Sequence, residues 1–218
     1  MRSLRILVLL AAALLGAPAF ATTFQVTGWE LGETVHVTFL GSARTFATAQ
    51  FHEVVDGVTG TSFCADLSQY VGVGTHSDFV AYDPTAAESQ AFASSPTRRF
   101  AWAAGIADRW GNDIGWLSSN LGVTRLQAIT GVQTAIWEAV YDGNFAATAA
   151  SMSTGAWSAY QHVIGASYSG YGNTLLYHSR TRQDQLFTPP VPEPSAVIAF
   201  GAGALLVGRA LLRRRKRA

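Results

Sequence analysis

The sequence predicts an α+β domain in which an N-terminal antiparallel β-rich part packs against a helical segment. Three observations carry that prediction. Residues 23–66 show short alternating apolar runs punctuated by Gly28, Gly32, Gly41, Gly57 and Gly60. After Tyr82-Asp83-Pro84 the composition turns to Ala, Gln, Arg and Trp with helix-capping signals. The 218 residues are 49% apolar and 13% charged, which suits one compact core and argues against a disordered or collagen-like chain.

The elements follow in order. Val35, Val37 and Phe39 fall on one face of an alternating run, with His36, Thr38 and Leu40 on the other. Strands are predicted over residues 24–29, 34–40, 47–55 and 61–66, with Asp56-Gly57 as a turn. Ser95 before Pro96 is an N-cap followed by proline at the first helical position, so a helix is predicted over 96–109. Further helices are predicted over 124–141, with Gly143 as its C-cap beside the turn at Asp142-Gly143, and over 155–164. Residues 146–155, rich in Ala, Thr, Ser and Gly, read as a loop. Residues 170–187 return as one or two strands. Residues 188–194 hold four prolines and read as an extended linker. No internal repeat is present.

The net charge of +1 conceals an uneven distribution. Six of the 15 basic residues lie in the last ten positions, and Arg2 and Arg5 lie at the start. Between Thr22 and Pro190 there are seven Arg, no Lys and 13 acids, a net charge of −6. Phosphate binding needs clustered Lys and Arg, so a nucleic-acid groove is not expected.

Both ends read as addresses. Arg2 and Arg5, an apolar run from Ile6 to Leu15 and the small-residue site Ala19-Phe20-Ala21 make residues 1–21 a secretory signal peptide cleaved after Ala21. The competing reading, a retained anchor, calls for a longer apolar run. Residues 195–212 are largely apolar, near the lower limit for crossing a bilayer, and Arg213, Arg214, Arg215, Lys216 and Arg217 follow as a membrane stop. Arg209 lifts its guanidinium to the interface by snorkelling. Basic residues stay inside, so the body at 22–187 faces out.

Val191-Pro192-Glu193-Pro194, the apolar helix and the Arg cluster together resemble the PEP-CTERM sorting signal of Gram-negative, exopolysaccharide-producing bacteria. Pro192, Glu193 and Pro194 carry the motif; residues 188–194 form the linker and motif, and residues 195–218 the transmembrane helix and basic tail. The resemblance implies that a membrane enzyme of the exosortase type cuts near the motif. The protein would then pass from a transient membrane anchor to the cell surface or extracellular matrix.

Two residues in the body stand out. Cys64 is the single cysteine of a chain bound for an oxidising space, so it has no intramolecular disulfide partner. A small buried hydrophobe, an intermolecular disulfide and catalysis are the alternatives. Gln133 lies four residues after Ile129 and three before Ile136, which puts its amide in the apolar stripe of the helix. A buried amide is either hydrogen-bonded in the core or chemically used, because leaving it unpaired costs about 1 to 3 kcal/mol.

Phe63-Cys64-Ala65-Asp66 on a strand and Val132-Gln133-Thr134-Ala135-Ile136-Trp137 on a helix resemble the paired motifs of bacterial surface thioester domains. The resemblance spans the body. It implies that the Cys64 sulfur attacks the Gln133 side-chain carbonyl, expelling ammonia and leaving an internal thioester that captures an amine or hydroxyl of an extracellular polysaccharide or surface protein. Phe63, Asp66, Trp102, Trp116, Trp137 and Tyr141 are the candidate pocket that would exclude water. The absence of Lys from the body leaves few internal amines to quench such a bond. His52, His76 and Asp66 are candidate proton-transfer groups.

Two other readings compete with covalent capture. One is a noncovalent structural or carbohydrate-binding matrix protein with a buried free cysteine. The other is a cysteine hydrolase built on Cys64 and a histidine, for which no local nucleophile signature is present. Neither a metal nor a cofactor is expected, since the sequence holds no paired Cys/His spacing, phosphate loop or calcium loop.

Overall fold

The computed structural model describes residues 22–90, 92 and 99–190. The expected signal peptide, the expected helix start at Pro96 and the expected sorting segment from Val191 onward lie outside the described residues. Within them the elements run β1 (Phe24–Phe39), β2 (Ser42–Val55), β3 (Val58–Cys64), β4 (Gly74–His76), β5 (Val80–Tyr82), α1 (Pro84–Ala87), α2 (Phe100–Trp110), α3 (Ile114–Leu121), α4 (Arg125–Tyr141), β6 (Phe145–Ala146), α5 (Thr154–Ile164), β7 (Leu175–His178) and β8 (Gln185–Thr188). The fold is α+β. Its described strands form one antiparallel sheet in the order β4-β1-β2-β3-β8-β7-β5, with β6 pairing the far end of β1.

The β2–β3 hairpin turns at Asp56-Gly57, both in left-handed backbone with φ of 48° and 84°. That geometry matches the twist of the flanking strands. The two strands expected over 24–29 and 34–40 are a single strand, β1, with a register irregularity between Leu31 and Thr34. The reason is tertiary. Glu33 N–H donates to Thr130 Oγ1 on α4 (2.6 Å), Thr48 Oγ1 donates to the Glu33 carbonyl (2.7 Å), and a Cβ on Gly32 would lie 2.2 Å from Thr48 Oγ1. The strand kinks to let the helix in close.

Helix α4 begins at a capping box in which Thr124 and Gln127 satisfy each other's backbone N–H groups. Its middle is buried all round, from Ala128 through Trp137, because β1, β2 and β3 lie on one side and α2, α3 and α5 on others. Helix α3 was not foreseen as a separate element, although Ile114, Leu117 and Leu121 keep helical spacing and Gly122 caps it in left-handed backbone at φ 64°. Gly131 is where α4 meets α5. A Cβ there would sit 2.6 Å from Ala159 Cβ and 2.6 Å from the Tyr160 nitrogen. Gly131→Ala is therefore expected to lose about 2 kcal/mol net in urea unfolding, overpacking outweighing the gain in helix propensity.

The sheet curls on itself. Phe24 of β1 and Tyr177 of β7 stand four strands apart in sheet order, yet their ring centroids are 5.3 Å apart, and Phe24 stacks on Phe79 at 4.3 Å. The curled face is thus a closed core. Among the described residues no helix is long and apolar enough to cross a membrane.

Candidate functional site

Cys64 is the last residue of β3, and Gln133 lies in the middle of α4. Pairing between β2 and β3 stops at Phe51–Ser62, so Cys64 has no β2 neighbour, while β8 still pairs it through Gln185. Gln133 takes the vacated place. The Cys64 N–H donates to Gln133 Oε1 (3.1 Å), and Gln133 Nε2 donates to the Cys64 carbonyl (2.8 Å). Gln133 is fully buried and Cys64 nearly so. The buried amide is therefore satisfied, and its carboxamide carbon is held against the residue that carries the thiol.

The sulfur has its own partner. Gln185 Nε2 lies 3.7 Å from Cys64 Sγ and donates to it, and Gln185 Oε1 accepts from the Ser62 hydroxyl at 2.9 Å. Burial pushes the Cys64 thiol well above its ordinary range; Gln185 opposes the shift, and the charges of Glu53 and Asp66 add to it. Glu53 is fully buried, and neither carboxyl oxygen has a hydrogen-bond partner among the described residues. Burial raises it to about 8 against a weaker pull from the nearby Ser62 hydroxyl, so at neutral pH it is a protonated acid.

Beyond Cys64 the chain turns at Asp66, whose Oδ1 accepts from Ser68 N–H (2.7 Å), Ser68 Oγ (2.7 Å) and Tyr141 Oη (3.2 Å). Tyr141 Oη also accepts from the Leu67 N–H, which ties the end of α4 to this turn. The structure thus brings Cys64, Gln133, Asp66 and Tyr141 together. Phe63 is buried opposite Leu186 in the sheet register.

Of the remaining pocket candidates, Trp137 lies one helical turn from Gln133 on α4, and Trp102 and Trp116 stand on α2 and α3. Trp137 is buried with Phe46 (5.7 Å) and Phe145 (6.3 Å). Trp102 sits half-buried on α2, with the Arg99 guanidinium 5.9 Å from its ring. Trp116 is half-exposed on α3, stacked on Trp110 at 5.9 Å. Of the histidines named from the sequence, His52 faces Glu30 on the surface at 3.3 Å, and His76 hydrogen-bonds the Gly72 carbonyl at 2.9 Å. Neither lines the cavity that opens at the Asp66 turn.

That cavity has a volume of about 600 Å³, and its walls include Asp66, Gln69, Tyr82, His178 and Asp184. His178 Nδ1 lies 2.8 Å from Asp184 Oδ1. Burial raises the Asp184 carboxyl above its ordinary value, with His178 as the leading opposing influence. Gln185, Glu53, His178 and Asp184 were not singled out from sequence. Glu53 was legible in principle, since it shares strand phase with the buried Phe51 and Val55. Among the described residues no group of three or more His, Cys, Asp or Glu is placed to hold a metal ion.

No protein-family model matches the chain, and no curated protein matches it. Among solved structures, the chain is similar to the N-terminal thioester domain of a surface protein from Clostridium perfringens, at 12% sequence identity and a TM-score of 0.45, over 78% of this chain and 99% of that chain.

Proposed function

We propose that this chain is an exported surface or matrix protein in which Cys64 and Gln133 close an internal thioester for covalent attachment to an extracellular partner. Its tail directs it through a PEP-CTERM and exosortase-type route. The observation that carries the thioester is the two-point clasp of the Gln133 carboxamide on the Cys64 main chain.

The clasp suits the reaction. The Cys64 N–H points at Oε1, where negative charge develops when sulfur attacks the carboxamide carbon. A carbon–sulfur bond forms, the carbon–nitrogen bond breaks, and the thiol proton leaves with the nitrogen as ammonia. Burial of both residues then keeps water from the stored acyl group.

The test is the intact mass of the full chain before and after methylamine. The expected mass is one ammonia short of the sequence, and methylamine is expected to add at Gln133 and free Cys64 for alkylation. A full mass with Gln133 intact in peptide maps would sink covalent capture and leave the noncovalent matrix reading. Glutamate at position 133 would instead mark a bond that had formed and hydrolysed.

A further inference from the structure

We propose that Gln185 is the donor that stabilises charge on the Cys64 sulfur, both as the thioester closes and as the sulfur departs on capture; this rests on the thioester reading above. The contact is direct. Cys64 and Gln185 are register partners on β3 and β8, so their side chains stand side by side on one face of the sheet, and Gln185 Nε2 lies 3.7 Å from Sγ. Both residues are buried, so bulk water does not compete for the contact.

The amide is oriented with its nitrogen toward the sulfur. Gln185 Nε2 also donates to the Gln183 carbonyl at 3.4 Å, and a carbonyl only accepts, so the amine end must lie on this side. Oε1 is taken by the Ser62 hydroxyl at 2.9 Å. Turning the amide over would set its oxygen against the Gln183 carbonyl and beside Sγ. Ser62 and Gln183 therefore fix a donor on the reacting atom before any charge develops there.

The rest of the surroundings make that donor necessary. Burial disfavours the thiolate, and the acidic neighbours Glu53 and Asp66 add to this when ionised. The influences that favour the thiolate are the Gln185 hydrogen bond, which is the larger, and the Cys64 main chain. A hydrogen bond to an ionised acceptor is about twice as strong as one to a neutral acceptor, so Gln185 gives more to the charged sulfur than to the thiol or the thioester, and lowers the barrier between them.

Gln185 gives up no proton. In closure, the carbon–sulfur bond forms at Gln133, the carbon–nitrogen bond breaks and the thiol proton leaves with the nitrogen as ammonia. In capture by an amine, a carbon–nitrogen bond forms, the carbon–sulfur bond breaks, and the sulfur takes a proton from the attacking nitrogen, leaving an amide and a Cys64 thiol. In both directions Nε2 keeps its hydrogens and faces the sulfur while it is charged.

The experiment uses the full chain carrying the ammonia-deficient mass, with ammonia and methylamine as nucleophiles at concentrations where Cys64 thiol release is first order in amine. Opening of the site is then not the step being timed. Ammonia restores Gln133 and so runs closure backwards through the same transition state, while methylamine reports capture. Gln185→Met keeps the length of the side chain without the donor, and is expected to slow release by both amines at least about tenfold, the size of a hydrogen bond to a charged group. Ser62→Ala, which frees Oε1 but leaves the Gln183 contact, is expected to slow both by about threefold. Direction separates this role from packing: a loosened site admits water and amine more readily and releases its thiol faster, in buffer alone as well. Rates equal to wild type or faster in the two variants overturn the role of Gln185 alone. Where Gln185→Met forms no deficit, the Ser62→Ala rates decide, slowing supporting the role and its absence overturning it. A wild-type chain without the deficit, and with Gln133 intact, overturns both readings.

Discussion

Gln133→Leu is expected to destabilise the protein by about 2 to 6 kcal/mol relative to the chain whose Gln133 amide is unreacted, because it strands two buried main-chain groups at once. Leucine fills a similar volume but offers neither acceptor nor donor. The Cys64 N–H and C=O, which β2 no longer pairs, would then each lose a partner in a fully buried setting. For a domain of this size, a loss near the middle of that range lowers Tm by roughly 10 °C. Urea unfolding at constant m-value checks it. Cys64→Ala is the informative control, since against that same unreacted reference it keeps the main-chain clasp and removes only the sulfur. Its cost should be about 1 kcal/mol, so a collapse in both variants would mean that packing around the sulfur, and not the amide clasp, holds this junction.

The second large effect is a pH dependence carried by Glu53. Its carboxyl titrates near 8 when folded, against a reference of 4.5. Below about pH 4.5 both states are protonated, and the group contributes no dependence. Between 4.5 and 8 the unfolded chain ionises while the folded one keeps its proton, so stability falls by about 1.4 kcal/mol per pH unit. Above 8 both are ionised and the loss levels off, at a total of about 5 kcal/mol. Glu53→Gln is nearly isosteric with the protonated acid and cannot ionise. It should lie within about 1 kcal/mol of wild type at pH 5 and exceed it by about 4 kcal/mol at pH 8.5, after allowing for an unpaired amide donor. Denaturant midpoints at the two pH values decide this; a difference that did not change with pH would place a partner on the Glu53 carboxylate.

The two cases share a cause. Both residues are polar groups inserted where a strand pattern and a helical stripe call for apolar ones, and the core tolerates them in different ways. Gln133 is satisfied by a main chain left open when β2 departs. Glu53 has no such partner and stays neutral instead. A neutral Glu53 also keeps a negative charge off the curled face that holds Ser62, Gln185 and the Cys64 sulfur.

The hairpin at Asp56-Gly57, the capped helix ending at Tyr141 and the α+β order were legible in the sequence, because each depends on neighbours within a few positions. Left-handed backbone at Gly57, capping at Thr124 and alternation along 47–55 are local physics. Cys64 and Gln133 were also legible, one as an odd thiol and the other as an amide in an apolar stripe. Their being oddities was local, but their clasp was not. It required β2 to leave β3 after Ser62 and α4 to pass that gap, a meeting of residues 69 positions apart.

The same distance in sequence hid the cavity. His178 and Asp184 face each other across β7 and β8, and they reach the Cys64 turn only because β8 pairs β3 after more than a hundred intervening residues. Neither strand carries a motif. Trp102 and Trp116, expected at the wall, stand on other elements for a related reason: burial favours any aromatic side chain, and sequence does not say which part of the core takes it. Trp116 therefore stacks on Trp110 at the surface, while Tyr82 and Phe92 stand at the cavity. The sequence alone determined the α+β order, the turn at Asp56-Gly57 and the two residues of the clasp, since these follow from backbone sterics and short-range periodicity. Only the tertiary structure decided what surrounds the sulfur, because pairing between distant strands is set by the closure of the whole sheet and not by any segment within it.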